Sequence, residues 1–182
     1  MSILVFIDHA EGTIKKSSFE TASYASQLAG QLSTTAEAVV LGTAPSGLEQ
    51  LGNYGIKKVN TVSNPVLDTL DSQAYTDALA QVVSTTDAEI IIFSKNSVGI
   101  AVAPRLSVKL KAGLVSGAVA LPDISNGFVV KKSVFSGKAF AHISIATAKK
   151  IIALSPNSCG VHATGGTAEI AALNITVEAP KV

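Results

Sequence analysis

The chain has 182 residues, of which 47% are hydrophobic and 15% charged, with one Cys and a formal net charge of +1. This length is typical of one compact domain, and high apolar content at near-zero net charge excludes an intrinsically disordered protein. A lone Cys excludes a disulfide scaffold within the chain, and no apolar run approaches the roughly 20 residues of a membrane helix. The first eight residues lack the features of a signal peptide, so we predict a cytoplasmic protein.

Charge is distributed unevenly along the chain. Residues 1–93 carry four Lys against ten Asp or Glu, a net of −6, whereas residues 94–150 carry nine Lys or Arg against one Asp, a net of +8. This asymmetry favours a surface for an anionic ligand or partner, although solvated acidic helices explain it equally well. Nucleic acid is not the expected partner, because the basic half has one Arg, few aromatic residues and no nucleic-acid-binding motif.

The first half of the chain alternates between apolar runs and helical patterns. Apolar runs predict buried strands at residues 3–7, 38–41, 59–62 and 90–93. Helical spacing predicts helices after residue 17, from about residue 46, over 74–83 and over 99–110. Ser17 and Glu20 have the spacing of a capping box at the start of the first helix. The alternation predicts an α/β fold with a parallel sheet.

After Gly113, no helix-length segment separates the strand-like runs. These runs cover residues 114–121, 128–135, 139–146 and 149–154. We therefore predict that this part of the chain is antiparallel and extends one edge of the parallel sheet. A last apolar stretch covers residues 170–177.

Two glycine pairs have the spacing of a phosphate-binding loop, Gly42 with Gly47 and Gly160 with Gly165. Neither pair is followed by the Lys and the Ser or Thr that such a loop requires, so neither is interpreted as one. No Gly-x-Gly-x-x-Gly follows the first strand, so the dinucleotide-binding fingerprint is missing as well.

Groups suited to catalysis or metal binding are scarce. His9, His142 and His162 lack metal-ligand spacing, and His142 is predicted to lie on the surface of a strand. Cys159 follows a turn and has no base near it in the sequence, so a catalytic thiol is not expected. We predict no metal site and no intrinsic catalysis. Asp8 ends the first strand, where open parallel sheets bind ligands, although Asp8 and His9 can instead cap the following turn.

The most distinctive passage leaves the strongest predicted strand and enters a helix at residues 94–110. Ser97 can cap this helix, and the free N–H groups at a helix start favour anions. Pro104 is tolerated only near a helix start or at a kink. Arg105 is the only Arg in the chain. Its planar fork favours a specific contact with a carboxylate, phosphate or backbone group, and the alternative is an exposed helix cation.

This passage resembles the N-terminal domain of the electron-transfer flavoprotein α subunit. The resemblance rests on Ser-x-x-Ser-x-Gly-x-x-x-Ala-Pro-Arg-Leu-Ser-x-Lys-Leu, which begins at Ser94, followed by Gly-Leu-Val-Ser from Gly113. Residues 3–9, 51–59 and 134–139 are also similar to the family. Ser155 departs from it, because it stands where the family typically has the Arg of an Arg-Pro pair.

The resemblance implies a three-layer fold of the adenine-nucleotide α-hydrolase type, in which helices flank a mostly parallel sheet. It also implies an αβ heterodimer that carries electrons from dehydrogenases to an acceptor. In the family, FAD is held mainly by a C-terminal domain of the α subunit. Residues 1–178 would then be the N-terminal domain and residues 179–182 the start of the linker. We expect no FAD on this chain alone.

The resemblance also implies two sets of functional residues. A vestigial nucleotide pocket is expected to involve Asp8, His9, Ser94, Ser97 and Gly99. Contacts with the β subunit or the neighbouring domain are expected at Arg105, Phe135 and Lys138.

The sequence therefore predicts a scaffold and docking domain that supports FAD-mediated electron transfer without catalysing a reaction. One alternative is a stand-alone adenine-nucleotide-binding domain of the stress-protein type, with its pocket at residues 7–9, 41–42 and 94–99. Its Ser-Gly-Gly-x-Asp-Ser phosphate loop is missing from the sequence. A second alternative is an oligomerisation module without a ligand.

Overall fold

A large mixed sheet dominates the computed structural model, which describes residues 2–178. The strands are β1 (Ser2–Phe6), β2 (His9–Ala10), β3 (Thr13–Ile14), β4 (Ala36–Leu41), β5 (Lys58–Val62), β6 (Ala88–Ser94), β7 (Gly113–Ala118), β8 (Val129–Val134), β9 (Ala139–Ser144), β10 (Lys150–Leu154) and β11 (Glu169–Ala172). The α-helices are α1 (Lys16–Gln31), α2 (Ser72–Thr86) and α3 (Ser97–Leu110), and two 3₁₀ helices cover Leu48–Tyr54 and Pro65–Leu67. Nine strands form the sheet in the order β11-β5-β4-β1-β6-β10-β7-β8-β9, and β2 and β3 form a separate hairpin.

Helices cover both faces of the parallel part of this sheet. Side chains of α1 pack with Ile90 and Ile92 on one face, and side chains of α2 and α3 pack with Ile91 and Phe93 on the other. The predicted α/β class, with a mostly parallel sheet flanked by helices and added antiparallel strands, is confirmed. None of the helices within residues 2–178 is long and apolar enough to cross a bilayer.

The last part of the sheet is only partly antiparallel. The pairs β7–β8 and β8–β9 are antiparallel as predicted. The expectation that residues 149–154 join them is wrong, because β10 lies between β6 and β7 and is parallel to both. Its residues 151–154 are buried and contribute to the cores on both faces of the sheet. A strand that is apolar on both faces belongs in the covered interior of a sheet and not at its edge.

Glu20 does not form the predicted capping box with Ser17. No side chain caps the N-terminus of α1, and Glu20 points instead to the loop that follows β10. Its carboxylate accepts N–H bonds from Asn157 at 2.8 Å, Ser158 at 2.8 Å and Cys159 at 2.9 Å. The side chain is buried, and a buried carboxylate is stable only when several donors replace its water. Three donors satisfy it better than the single N–H of a capping box.

We expect Glu20→Gln to lower the free energy of unfolding by about 2 kcal/mol. The neutral side chain loses the charge-assisted hydrogen bonds, and its NH₂ group would face the backbone N–H donors of the loop. Urea denaturation measures the change. Glu49→Gln, at an exposed position of the first 3₁₀ helix, is the matched control and should change the stability little. Equal stability of the two variants would contradict the structural role of Glu20.

Candidate functional site

A crevice is expected where the neighbouring parallel strands β1 and β6 end. After β1 the chain passes to α1 on one face of the sheet, and after β6 it enters α3 on the other face. Strands that diverge in this way leave a crevice at their carboxyl ends, where open α/β sheets bind ligands. The sequence-predicted residues Asp8, His9, Ser94, Ser97 and Gly99 all lie along this edge.

Asp8 occupies the centre of this edge. Its Oδ2 accepts hydrogen bonds from Lys15 Nζ and Asn96 Nδ2, both at 2.7 Å. Its backbone N–H donates to Ser18 Oγ at 2.8 Å, and the Ser18 hydroxyl is within 2.8 Å of the Asp8 carbonyl. The side chain therefore links β1 to the start of α3, and Lys15 neutralises its charge. The Asp8 carboxylate thus occupies the Lys15 and Asn96 donors, which would otherwise be available to a phosphate.

The other predicted pocket residues differ in their surroundings. His9 Nε2 lies 2.9 Å from the Leu41 carbonyl, which can only accept, so Nε2 is the donor. Ser94 is buried, and Ser97 is exposed. Gly99 faces the Ser94 carbonyl so closely that a Cβ at this position would collide with it.

The predicted cap of α3 is at the wrong residue. Asn96, and not Ser97, caps the helix, because the Asn96 Oδ1 accepts the Gly99 N–H at 3.0 Å. Asn is a preferred N-cap residue, so this signal was available in the sequence. No local pattern in the sequence indicated the role of Lys15, because its contact with Asp8 depends on the path of the β2–β3 hairpin between them.

The predicted partner contacts lie in two places. Arg105 is exposed on α3, and its side chain makes no ion pair or hydrogen bond with another residue of the range 2–178. Phe135 and Lys138 lie together in the turn between β8 and β9, where the Lys138 N–H donates to the Phe135 carbonyl at 3.1 Å. Phe135 is 83% exposed.

The β8–β9 hairpin, residues 129–144, presents an apolar and basic surface, which we call the hairpin surface. Phe140 and Ile143 are exposed on β9, and the Lys131 ammonium lies 4.2 Å from the centre of the Phe140 ring. His142 is exposed opposite Lys131, which confirms the prediction that it is a strand surface residue. No acidic residue occurs between Asp123 and Glu169.

The turn of this hairpin is conformationally strained. Phe135 has a φ of 55° and Ser136 a φ of 52°, in the left-handed region that costs a side chain such as Phe roughly 1–2 kcal/mol. Backbone strain of this kind persists only where the surrounding structure imposes it, and strained residues often cluster at functional sites. The turn holds a large apolar ring in the solvent at an energetic cost.

Cys159 lies beside the buried Glu20. Burial raises the pKa of its thiol, and the Glu20 carboxylate raises the pKa further, while a hydrogen bond with Ser158 acts in the opposite direction. The thiol is therefore protonated near neutral pH, which makes it a poor nucleophile. Within residues 2–178, no cluster of His, Cys, Asp or Glu has the geometry of a metal site.

The chain matches a family model and is similar to several known proteins. A model of the electron transfer flavoprotein domain matches residues 3–178. The chain is 25% identical to electron transfer flavoprotein subunit alpha of Syntrophomonas wolfei, over 91% of this chain and 51% of the relative. It is 26% identical to the protein of the same name in Bacillus subtilis, over 86% of this chain and 48% of the relative. It is also 27% identical to lactate dehydrogenase (NAD(+),ferredoxin) subunit LctC of Acetobacterium woodii, over 78% and 34%.

These matches confirm the family that the sequence resembles. The chain spans about half the length of the alpha subunits it matches.

We expect Cys159 to react slowly with iodoacetamide at pH 8 and to reach its half-maximal rate at a higher pH than a free cysteine, because its raised pKa keeps it protonated. Mass spectrometry follows the reaction without ambiguity, since the chain has one Cys. The urea-unfolded chain is the control and should react at the rate of a free thiol. A folded chain that reacts as fast as the unfolded one would contradict the burial.

Proposed function

Because this chain belongs to the electron transfer flavoprotein domain family, we propose that it is the N-terminal scaffold and docking domain of an α subunit. In this role it binds the β subunit and supports FAD-mediated electron transfer from dehydrogenases to an acceptor. The observation that carries the proposal is the family match over nearly the whole described chain. The relatives named alpha subunits are about twice as long, so we propose that a further domain completes the subunit.

We propose that FAD does not bind at the carboxyl ends of β1 and β6. The pyrophosphate of a dinucleotide requires a glycine-rich turn and free N–H groups at a helix start. Here the Asp8 carboxylate lies at that place, and Asn96 already caps α3. We therefore propose that the cofactor is held outside this domain, which contributes position and support and not redox chemistry of its own.

The hairpin surface supports the docking role. It combines exposed apolar side chains with Lys131, Lys132 and Lys138 and lies at an edge strand of the sheet. An uncovered apolar edge strand favours association, and the positive charge favours a partner with an acidic surface. The strained Phe135 is well suited to be a buried anchor of such an interface. The Arg105 side chain, without a partner within residues 2–178, is available for a second contact.

We expect the chain to form a one-to-one complex with the electron transfer flavoprotein β subunit of the same organism, and to be colourless when purified alone. Co-expression followed by size-exclusion chromatography tests the complex, and the visible absorbance of flavin tests the colour. Stoichiometric flavin on the chain alone would contradict the proposed division of roles.

Titration with nucleotides tests the alternative of a nucleotide-binding domain. Calorimetric titration with ATP or AMP should show no micromolar binding, because the Asp8 network occupies the crevice. Micromolar binding without any complex with the β subunit would reject the docking role.

We expect Phe135→Asn to have opposite effects on stability and on binding. Asn tolerates left-handed backbone, so the isolated chain should gain about 1 kcal/mol in its free energy of unfolding. Loss of an aromatic anchor should weaken β-subunit binding by at least roughly tenfold. Urea denaturation and calorimetry measure the two effects. Leu70→Asn removes another exposed apolar side chain away from the hairpin and should leave binding unchanged; a Phe135→Asn variant that binds as tightly as the parent would contradict the contact.

A further inference from the structure

The segment that follows β11, residues 173–178, lies against the helices as an extended chain. The Leu173 N–H donates to the Thr61 carbonyl at 2.9 Å, which continues the contact with β5 by one residue. Leu173, Ile175 and Val177 are half-buried on the core shared by α2 and α3, while the residues between them are exposed. This alternation is typical of an extended chain with one apolar side.

One side chain provides the hydrogen bonds that hold this segment beyond Leu173. Gln81 Nε2, on α2, donates to the Thr176 carbonyl at 2.6 Å, and Gln81 Oε1 accepts the Thr176 N–H at 3.1 Å. Within residues 2–178, residues 174–178 make no other hydrogen bond to the rest of the chain. The Gln81 side-chain amide therefore makes the pair of hydrogen bonds that a neighbouring strand would otherwise provide.

A groove open to solvent lies beside the segment. It has a volume of about 450 Å³ and is lined by Asp77 and Lys109 from the helices and by Thr176 and Glu178 from the segment. Asp77 and Lys109 form an ion pair with each other across the two helices. A segment with few hydrogen bonds and half-buried apolar residues, bordered by solvent, has low local stability compared with the sheet.

We propose that residues 173–178 form a strap that opens and closes as a unit, with Gln81 as its latch. When the strap is closed, α2 fixes the course of the chain as far as Glu178. When the Gln81 bonds break, residues 174–178 are free to move, while Leu173 stays bonded to Thr61. The strap follows β11 at one edge of the sheet, and the hairpin surface includes β9 at the other. Opening of the strap therefore leaves the proposed β-subunit contact unchanged.

Hydrogen exchange followed by mass spectrometry on the full chain tests this proposal. We expect Gln81→Ala to increase the exchange rate of the Thr176 amide by about tenfold, because this variant loses both bonds between Gln81 and Thr176, and Thr176 has the one hydrogen-bonded amide described in residues 174–178. Exchange in α2, α3 and the central strands should stay unchanged. Gln27→Ala is the matched control, since Gln27 makes a bond within α1 equivalent to that of Gln81 within α2, each at 3.4 Å, and has no described bond to another segment.

Two results would overturn the proposal. Unchanged exchange of the Thr176 amide in Gln81→Ala would show that Gln81 is not the latch. Acceleration by the same factor throughout α2 and the central strands would show that the strap does not open separately from the fold. The β subunit is not used in this experiment, so its outcome does not depend on whether the proposed complex forms.

Discussion

The central strands are apolar on both faces, and the architecture follows from this constraint. In β6, four successive residues, Ile90 to Phe93, are fully buried, and their side chains alternate between the two cores. Burial of each such side chain contributes roughly 1.5–3 kcal/mol. Neither face can be left to solvent, so α1 must cover one and α2 with α3 the other. The same demand places β10 inside the sheet.

Coverage of both faces also determines the nature of the crevice. The chain has to leave β1 and β6 in opposite directions, which opens the sheet at their carboxyl ends. In this protein the opening is bridged by the Asp8 carboxylate, which Lys15 and Asn96 hold by hydrogen bonds. The network ties two layers of the domain together at the place where related folds bind a ligand. This is consistent with a domain that provides support to a larger assembly.

The helices cover the centre of the sheet better than its ends. At one end, β9 is an edge strand with exposed Phe140 and Ile143. At the other end, β11 leads into the strap, whose apolar side lies on α2 and α3. Uncovered apolar surface at an edge strand requires a partner or a covering segment. The two ends meet this requirement differently. At one end the apolar side of the strap packs on α2 and α3, whereas at the other end the hairpin surface remains available to a partner.

The sequence by itself determined the features that depend on local patterns. The apolar runs located the buried strands, the helical spacing located α1, α2 and α3, and the passage around Arg105 identified the family. The capping of α3 by Asn96 was also within reach of local preference. In contrast, only the tertiary structure placed β10 between β6 and β7, because strand order depends on which neighbour covers each face.

The hydrogen bonds of Glu20 and Asp8 were also decided by the tertiary structure. Glu20 contacts a loop more than 130 residues away in the chain, and Asp8 contacts Asn96 across 88 residues. A local pattern cannot specify such pairs, since the donors become neighbours only when the two layers have packed. The sequence thus determined the elements and the family, and packing of the layers decided which polar groups meet at the candidate site.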